Sequence, residues 1–298
     1  MSQTPTEANA PAPQKKKSDL VPRLVTAIVA IPVLLWLLFW SPTEAFAVLI
    51  LLATMISAWE YMDIVTSDAR NRVAQVATVI ATGAVSALMY FSFGPTADAQ
   101  TMVDPMVLMS SVMGATLAIF MIYLATFKDV RNITLHMGSS AMSLLYCGLM
   151  PATLALLHRD AGVDGGWWVF MAMATVWGSD TGAYFSGRAF GKHKLAPRVS
   201  PKKTIEGAVG GLIASIIAVL VIQQLVLTQL TLVQVFILAI PANILGQVGD
   251  LCESLLKRAH GVKDSGVIVY GHGGLLDRID ALIFAAPWFY VFQRYFVS

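Results

Sequence analysis

The run GAVGGLIASIIAVLVIQQLVL, from Gly207 to Leu227, contains no Asp, Glu, Lys or Arg. A helix needs roughly 20 apolar residues to cross the hydrocarbon core of a bilayer, and this run meets that length. A helix that is apolar all round sits either in lipid or in the interior of a large protein. The composition of the rest decides between the two. The chain has 298 residues, 56% of them hydrophobic and 13% charged, with a mean hydropathy of +0.68. Those values lie outside the range of soluble globular proteins, so the chain belongs in a bilayer.

Outward from that run, eight further stretches show the same character. They lie near Leu24 to Trp40, Ala45 to Ile64, Val73 to Phe93, Met106 to Thr126, Leu135 to Leu157, Trp167 to Phe185, Leu232 to Leu251 and Leu275 to Tyr295. The fold class is therefore all-α, a polytopic integral membrane protein with about nine transmembrane helices. Residues 1–20 read as a disordered cytoplasmic tail, because Met1 to Ser18 is rich in Pro, Ala, Gln and Lys and has almost nothing to bury. Residues 21–165 read as an amino-terminal transmembrane scaffold and 166–298 as a carboxy-terminal transmembrane catalytic region. The first stretch, closed by Trp40, is long for a signal-peptide core and reads as a retained helix. Cys147 and Cys252 are too few for a disulfide framework or a cysteine metal site and read as packing residues.

With nine helices and the amino terminus inside, all of the 20 Lys and Arg except Arg159 and Arg294 fall on the cytoplasmic side. Such a bias is the positive-inside signature. The outer connector from Gly94 to Pro105 carries Asp98 and Asp104 and no basic residue. No inverted repeat of the transporter kind is evident.

Two cytoplasmic connectors hold the polar information. The first, GSDTGAYFSGRAFGKHKLAPRVSPKKTIEG from Gly178 to Gly207, places Asp180 in an apolar span, where an ionised carboxylate needs a partner or water. Arg188 lies about two helical turns on and can share its face. Arg188, Lys192, Lys194, Arg198, Lys202 and Lys203 follow among Gly and Pro, and Ser200 to Thr204 offers hydroxyls and N–H groups beside lysines, a mixture suited to phosphate oxygens. Anionic headgroups would also attract such a loop nonspecifically, but the interleaved Gly, Pro and Ser and the closing Glu206 favour a built site.

The second connector, SLLKRAHGVKDSGVIVYGHGGLLDRID from Ser254 to Asp280, continues a polar stripe that starts with Gly246, Gln247, Gly249 and Asp250. Asp250, Ser254 and Lys257 share one helical face, with Glu253 beside them. Asp277 and Asp280 lie three apart at a helix start, with Arg278 between them. Asp250, Asp277 and Asp280 together supply hard oxygen donors from two helices, which is what Mg2+ requires. A purely structural alternative pairs Asp250 with Lys257 and Asp277 with Arg278. His272, between glycines, reads as a turn residue or phosphate donor, and His136, His158 and His193 have no neighbouring second ligand for zinc. Glu60 and Asp63, at the inner end of the second helix, read as boundary caps, with Glu60 also placed to face a polar cavity.

These two blocks resemble the phosphatidate cytidylyltransferases, also called CDP-diacylglycerol synthases. Ser254, Lys257, Arg258, Lys263, Asp264, Gly266, His272, Gly273, Gly274, Asp277, Arg278 and Asp280 stand at that family's spacing, and Asp180, Gly182, Tyr184, Gly187, Ser200, Pro201, Lys203, Thr204, Glu206 and Gly207 match its earlier block. The likeness covers about the last 120 residues. Val269 and Tyr270 stand where the family has a leucine-like residue and proline, which leaves that turn less rigid, and Ala281 stands where it often has serine.

The resemblance implies transfer of CMP from CTP to phosphatidate, giving CDP-diacylglycerol and pyrophosphate. On that reading Asp250 and Asp277 are the leading magnesium ligands and Asp280 a third, with a second cation as an open alternative. Lys257, Arg258, Lys263 and Arg278 neutralise phosphates, and Asp264 and His272 belong to the same catalytic block. Ser200, Lys203, Thr204, Arg188 and Ser254 support a phosphate or headgroup, while Asp180 and Glu206 orient the basic groups. The expected partners are CTP, phosphatidate and membrane lipids, with a homodimer left open and no nucleic acid. The expected location is the bacterial inner membrane with the site facing the cytoplasm. A CTP-dependent lipid kinase and an anion or lipid transporter are the competing readings.

Overall fold

The computed structural model describes residues 20–92, 105–127, 130–266 and 273–297. Each apolar stretch forms one helical rod among the described residues: α1 Leu20–Phe39, α2 Thr43–Val65, α3 Arg72–Ser92, α4 Pro105–Thr126, α5 Ile133–Asp160, α6 Gly165–Phe190, α7 Ile205–Leu225, α8 Leu232–Ala259 and α9 Leu276–Phe296. Six of them, α2, α3, α4, α5, α7 and α8, are long and apolar enough to cross a membrane. Charges interrupt the other long rods: Asp180 and Arg188 lie in α6, and Asp277, Arg278, Asp280 and Arg294 in α9. The protein is an all-α polytopic membrane protein.

Two local features depart from the sequence reading. The middle of α5 is a π turn, Leu144–Leu149, between two α-helical segments. The connector between α6 and α7 is a small antiparallel hairpin, β1 Lys194–Ala196 and β2 Ser200–Thr204, pairing Lys194 with Thr204 and Ala196 with Ser200. As a sequence this stretch reads only as a basic connector broken by Gly and Pro. Both strands of a two-stranded ribbon are edge strands, the setting in which proline is found within sheets.

Lipid tails are as apolar as leucine, so these helices associate through close packing and interhelical hydrogen bonds. The tightest pair is α6 with α7. A Cβ added at Gly182 would lie 2.6 Å from the Gly210 carbonyl oxygen and 2.5 Å from the Ala214 Cβ, so only glycine lets the two backbones meet there. A polar knot then fixes α8 against both. Asn243 Nδ2 donates to Ser179 Oγ and Ser215 Oγ, each at 2.8 Å, and Ser215 Oγ donates to the Thr175 carbonyl at 2.8 Å. One large core cluster crosses the expected division of the chain, bringing Leu38, Phe46 and Leu156 together with Trp168, Leu238 and Phe289.

Candidate active site

Glu206 fastens the base of the hairpin. Its carboxylate accepts from the Lys192 N–H at 3.1 Å, the His193 N–H at 3.2 Å and His193 Nδ1 at 2.6 Å. Thr204 Oγ1 accepts the Gly207 N–H at 3.1 Å and so caps the first turn of α7. The two contacts set where β2 ends and α7 begins. As a result Lys203 reaches across to α8, where its Nζ donates to Asp250 Oδ2.

A cavity of about 420 Å³ lies beside that pair, between α6, α7 and α8. Asp180, Arg188, Lys202, Lys203 and Asp250 line its charged part, and the Asn243 knot forms its floor. Gln247 joins the two: its Nε2 donates to Asn243 Oδ1 at 2.6 Å and to the Ala208 carbonyl at 3.0 Å. Asp180 and Arg188 thus share the predicted face, although Arg188 donates to Tyr184 Oη at 3.0 Å and not to Asp180. The charges that act on Asp180 are those of Asp250 and Lys203.

One turn further along α8 stands a second charged group. Lys257 Nζ donates to Glu253 and to Asp277 Oδ1, the latter at 2.5 Å. Glu253 is 1% exposed and Lys257 9%. A lysine between two carboxylates away from water is held hard, since removing the lysine leaves two buried acids with no cation between them. Asp277 Oδ2 also accepts the Ser265 N–H at 2.8 Å. Asp280, one turn into α9, accepts its neighbour Ala281 N–H at 2.7 Å and feels the charges of Asp250, Lys257 and Asp180.

The simple ion pairs considered from the sequence are therefore replaced. Asp250 bonds to Lys203 from the other connector, and Asp277 bonds to Lys257 from the neighbouring helix. Ser200 opens β2 and Ser254 lies half-buried on α8. Arg258 turns back to the Val262 carbonyl at 3.1 Å, and Lys263, Asp264 and Arg278 are exposed and do not line the cavity. His272, with Val269 and Tyr270, lies outside the described residues. The other histidines have structural partners: His136 Nε2 meets Asp68 Oδ1 at 2.8 Å, His158 Nε2 the Leu38 carbonyl at 2.9 Å, and His193 meets Glu206.

For a hard divalent cation the donors are of the right kind, carboxylate oxygens from α8 and α9. Among the described residues, however, no three acids or other ligands converge on one point. Lysines hold two of the acids, so binding an ion there means exchanging an ammonium contact for a metal contact.

Two contributions escaped the sequence reading. Asn243 looks like one polar residue in an apolar helix, and only the meeting of three helices shows its role. Glu60 does not cap its own helix α2; it reaches the start of α9. An acid one turn inside the helix end marked by Asp63 was the available signal.

A model of the cytidylyltransferase family matches residues 21–296. The phosphatidate cytidylyltransferase of Brucella suis biovar 1 (strain 1330) is 35% identical over 284 residues, covering 94% of this chain and 96% of the relative. The enzyme of the same name from Bacillus subtilis (strain 168) is 37% identical over 165 residues, covering 55% of this chain and 58% of the relative. That from Staphylococcus saprophyticus is 46% identical over 146 residues, 49% of this chain and 55% of the relative. With a match that spans nearly every helix and both polar connectors, the chain belongs to the cytidylyltransferase family.

Proposed function

We propose that the protein is a phosphatidate cytidylyltransferase that joins CMP from CTP to phosphatidate and releases pyrophosphate. The observation that carries this is the meeting of the basic hairpin with the acids of α8 at one cavity, through Lys203 and Asp250. A phosphate oxygen of the lipid attacks the α-phosphorus of CTP in line. The new P–O bond forms as the bond to the bridging β-phosphate oxygen breaks. Both reactants are anions, so positioning and charge neutralisation dominate the barrier. Lys203, Lys202 and Arg188 act on phosphate at the hairpin side, and Lys257, Arg258, Lys263 and Arg278 act at the mouth. Thr204, Ser200 and Ser254 offer hydroxyls, while Asp180 and Glu206 keep the basic groups oriented.

Asp250, Asp277 and Asp280 would hold Mg2+, whose bound charge offsets the negative charge of the reacting phosphates. The proposed setting is the inner membrane of a bacterium with the cavity mouth toward the cytoplasm, where the positive-inside bias puts the basic connectors. Lipid then approaches within the bilayer and CTP from the water.

The test is incubation of the purified chain with labelled CTP, phosphatidate and Mg2+, followed by identification of the lipid product. Cytidine on the lipid together with pyrophosphate supports the reading; CDP and a newly phosphorylated lipid would show a kinase instead. Asp250→Asn and Asp277→Asn each nearly abolish pyrophosphate release, and full activity in either overturns that metal assignment.

A further inference from the structure

The amino-terminal helices read as scaffold, yet α2 sends one acid to the catalytic end of the molecule. Glu60 is 2% exposed. Its Oε1 accepts the Leu275 N–H at 3.1 Å, and its Oε2 accepts the Leu276 N–H at 2.8 Å and the Ser265 hydroxyl at 3.3 Å. Those amides belong to the first turn of α9, which has no intrahelical acceptor for them and carries the positive end of the helix dipole. An ionised carboxylate with three donors is at home there in a way that an isolated buried acid is not.

The bonds continue from Glu60 to Asp277. Ser265 Oγ, which donates to Glu60, accepts the Asp277 N–H at 3.3 Å, and the Ser265 N–H donates to Asp277 Oδ2 at 2.8 Å. Asp277 in turn holds Lys257. The space is closed around this chain of bonds: a Cβ on Gly274 would lie 1.9 Å from Ser265 Oγ and 2.9 Å from Glu60 Oε2.

We infer that Glu60 is a positioning residue of the reaction, acting through Ser265 to set the orientation of the Asp277 carboxylate and, through it, Lys257. The inference rests on the proposed function for its catalytic consequence only. Two N–H bonds to Glu60 fix the start of α9 and a third bond fixes Ser265 beside it, so Asp277 and Lys257 meet the phosphates already oriented. An interaction of this kind stabilises the transition state more than the bound substrates, and its loss lowers kcat while leaving KM nearly constant.

The test uses the full chain in detergent, comparing wild type with Glu60→Gln, Ser265→Ala and the double variant. Glu60→Gln keeps the shape but replaces one acceptor oxygen by a donor. Its kcat is expected to fall about tenfold or more, with KM for CTP and phosphatidate within about twofold of wild type. The double variant is expected to be no worse than the poorer single one, because the two residues act in series. In hydrogen exchange, the Leu275 to Asp277 amides of Glu60→Gln lose protection while those of α6 do not.

Wild-type kcat in Glu60→Gln, multiplicative losses in the double variant, or unchanged protection at residues 275–277 overturns the inference. If Glu60→Gln does not accumulate folded, Ser265→Ala alone decides: lowered kcat at constant KM supports the inference, and wild-type kcat overturns it. If the wild type puts no cytidine on lipid, the proposed function fails by itself, and hydrogen exchange still decides whether Glu60 holds the start of α9.

Discussion

Lys203, on the two-stranded hairpin, and Asp250, on α8, meet beside one cavity whose wall they share. Neither is fully buried, their side chains being 28% and 30% exposed, so an incoming phosphate or cation can compete for either partner. The pair is a contact ready to be exchanged.

Replacing Lys203 by Met is expected to lower kcat for pyrophosphate release by about 10²–10³-fold, the scale for removing one charge-stabilising donor from an active site. A steady-state assay with CTP and phosphatidate checks it. Lys203→Arg restores charge but not the compact ammonium, and should recover only part of the loss.

Lys257→Met leaves Glu253 and Asp277 facing each other with no cation between them. Breaking a buried group of this kind costs about 3–5 kcal/mol, less where water reaches the carboxylates. The melting temperature of the purified protein should drop accordingly, and adding Glu253→Gln to the same variant should recover part of the drop by removing one stranded charge.

Gly182→Ala has no room for its methyl group without parting α6 from α7, because the Ala214 Cβ at 2.5 Å and the Gly210 carbonyl oxygen at 2.6 Å already fill the space. Overpacking of this sort costs about 1–3 kcal/mol. Gly114, with open space around it, is the control: Gly114→Ala should leave thermal stability unchanged or slightly raised.

Thr204→Ala removes the cap of α7 and should cost about 1 kcal/mol, with Thr204→Ser close to wild type. Thermal melts of the three proteins separate the cap from a direct role in the reaction, which would appear as lost activity at unchanged stability.

Asp68, in the connector between α2 and α3, accepts from Asn132 Nδ2 at 2.9 Å and meets His136 Nε2 at 2.8 Å. The Asn132 bond, with His136 adding to it, holds the Asp68 carboxyl below its ordinary value. A lowered carboxyl value stabilises the fold above the unfolded value and loses that effect as pH falls through the lowered one. Acid melts should therefore show wild type and Asp68→Asn converging below about pH 4, and separation that persists in stronger acid would refute the assignment.

The nine rods were legible because a bilayer makes one simple demand, an apolar run of sufficient length, and runs such as Gly207 to Leu227 meet it without ambiguity. The polar stripe of α8 was legible through helical spacing, which brought Asp250, Ser254 and Lys257 to one face. Pairing was not, because spacing reports neighbours along a helix and not across one. Lys257 reaches Asp277 on α9, and Lys203 reaches Asp250 from a hairpin that the sequence shows only as a basic connector. The π turn at Leu144–Leu149 left no mark in an apolar sequence, since one widened turn changes neither hydropathy nor length. Glu60 was visible beside Asp63 at the end of α2, but its destination depends on the packing of α2 against α9.

The backbone-to-backbone seam of α6 and α7 also bears on traffic. Two helices touching at Gly182 and Gly210 leave no gap the width of an acyl chain at that depth, so this side of the cavity is shut to the bilayer. A lipid bound at this cavity under the proposed function would therefore not enter between α6 and α7 at that depth.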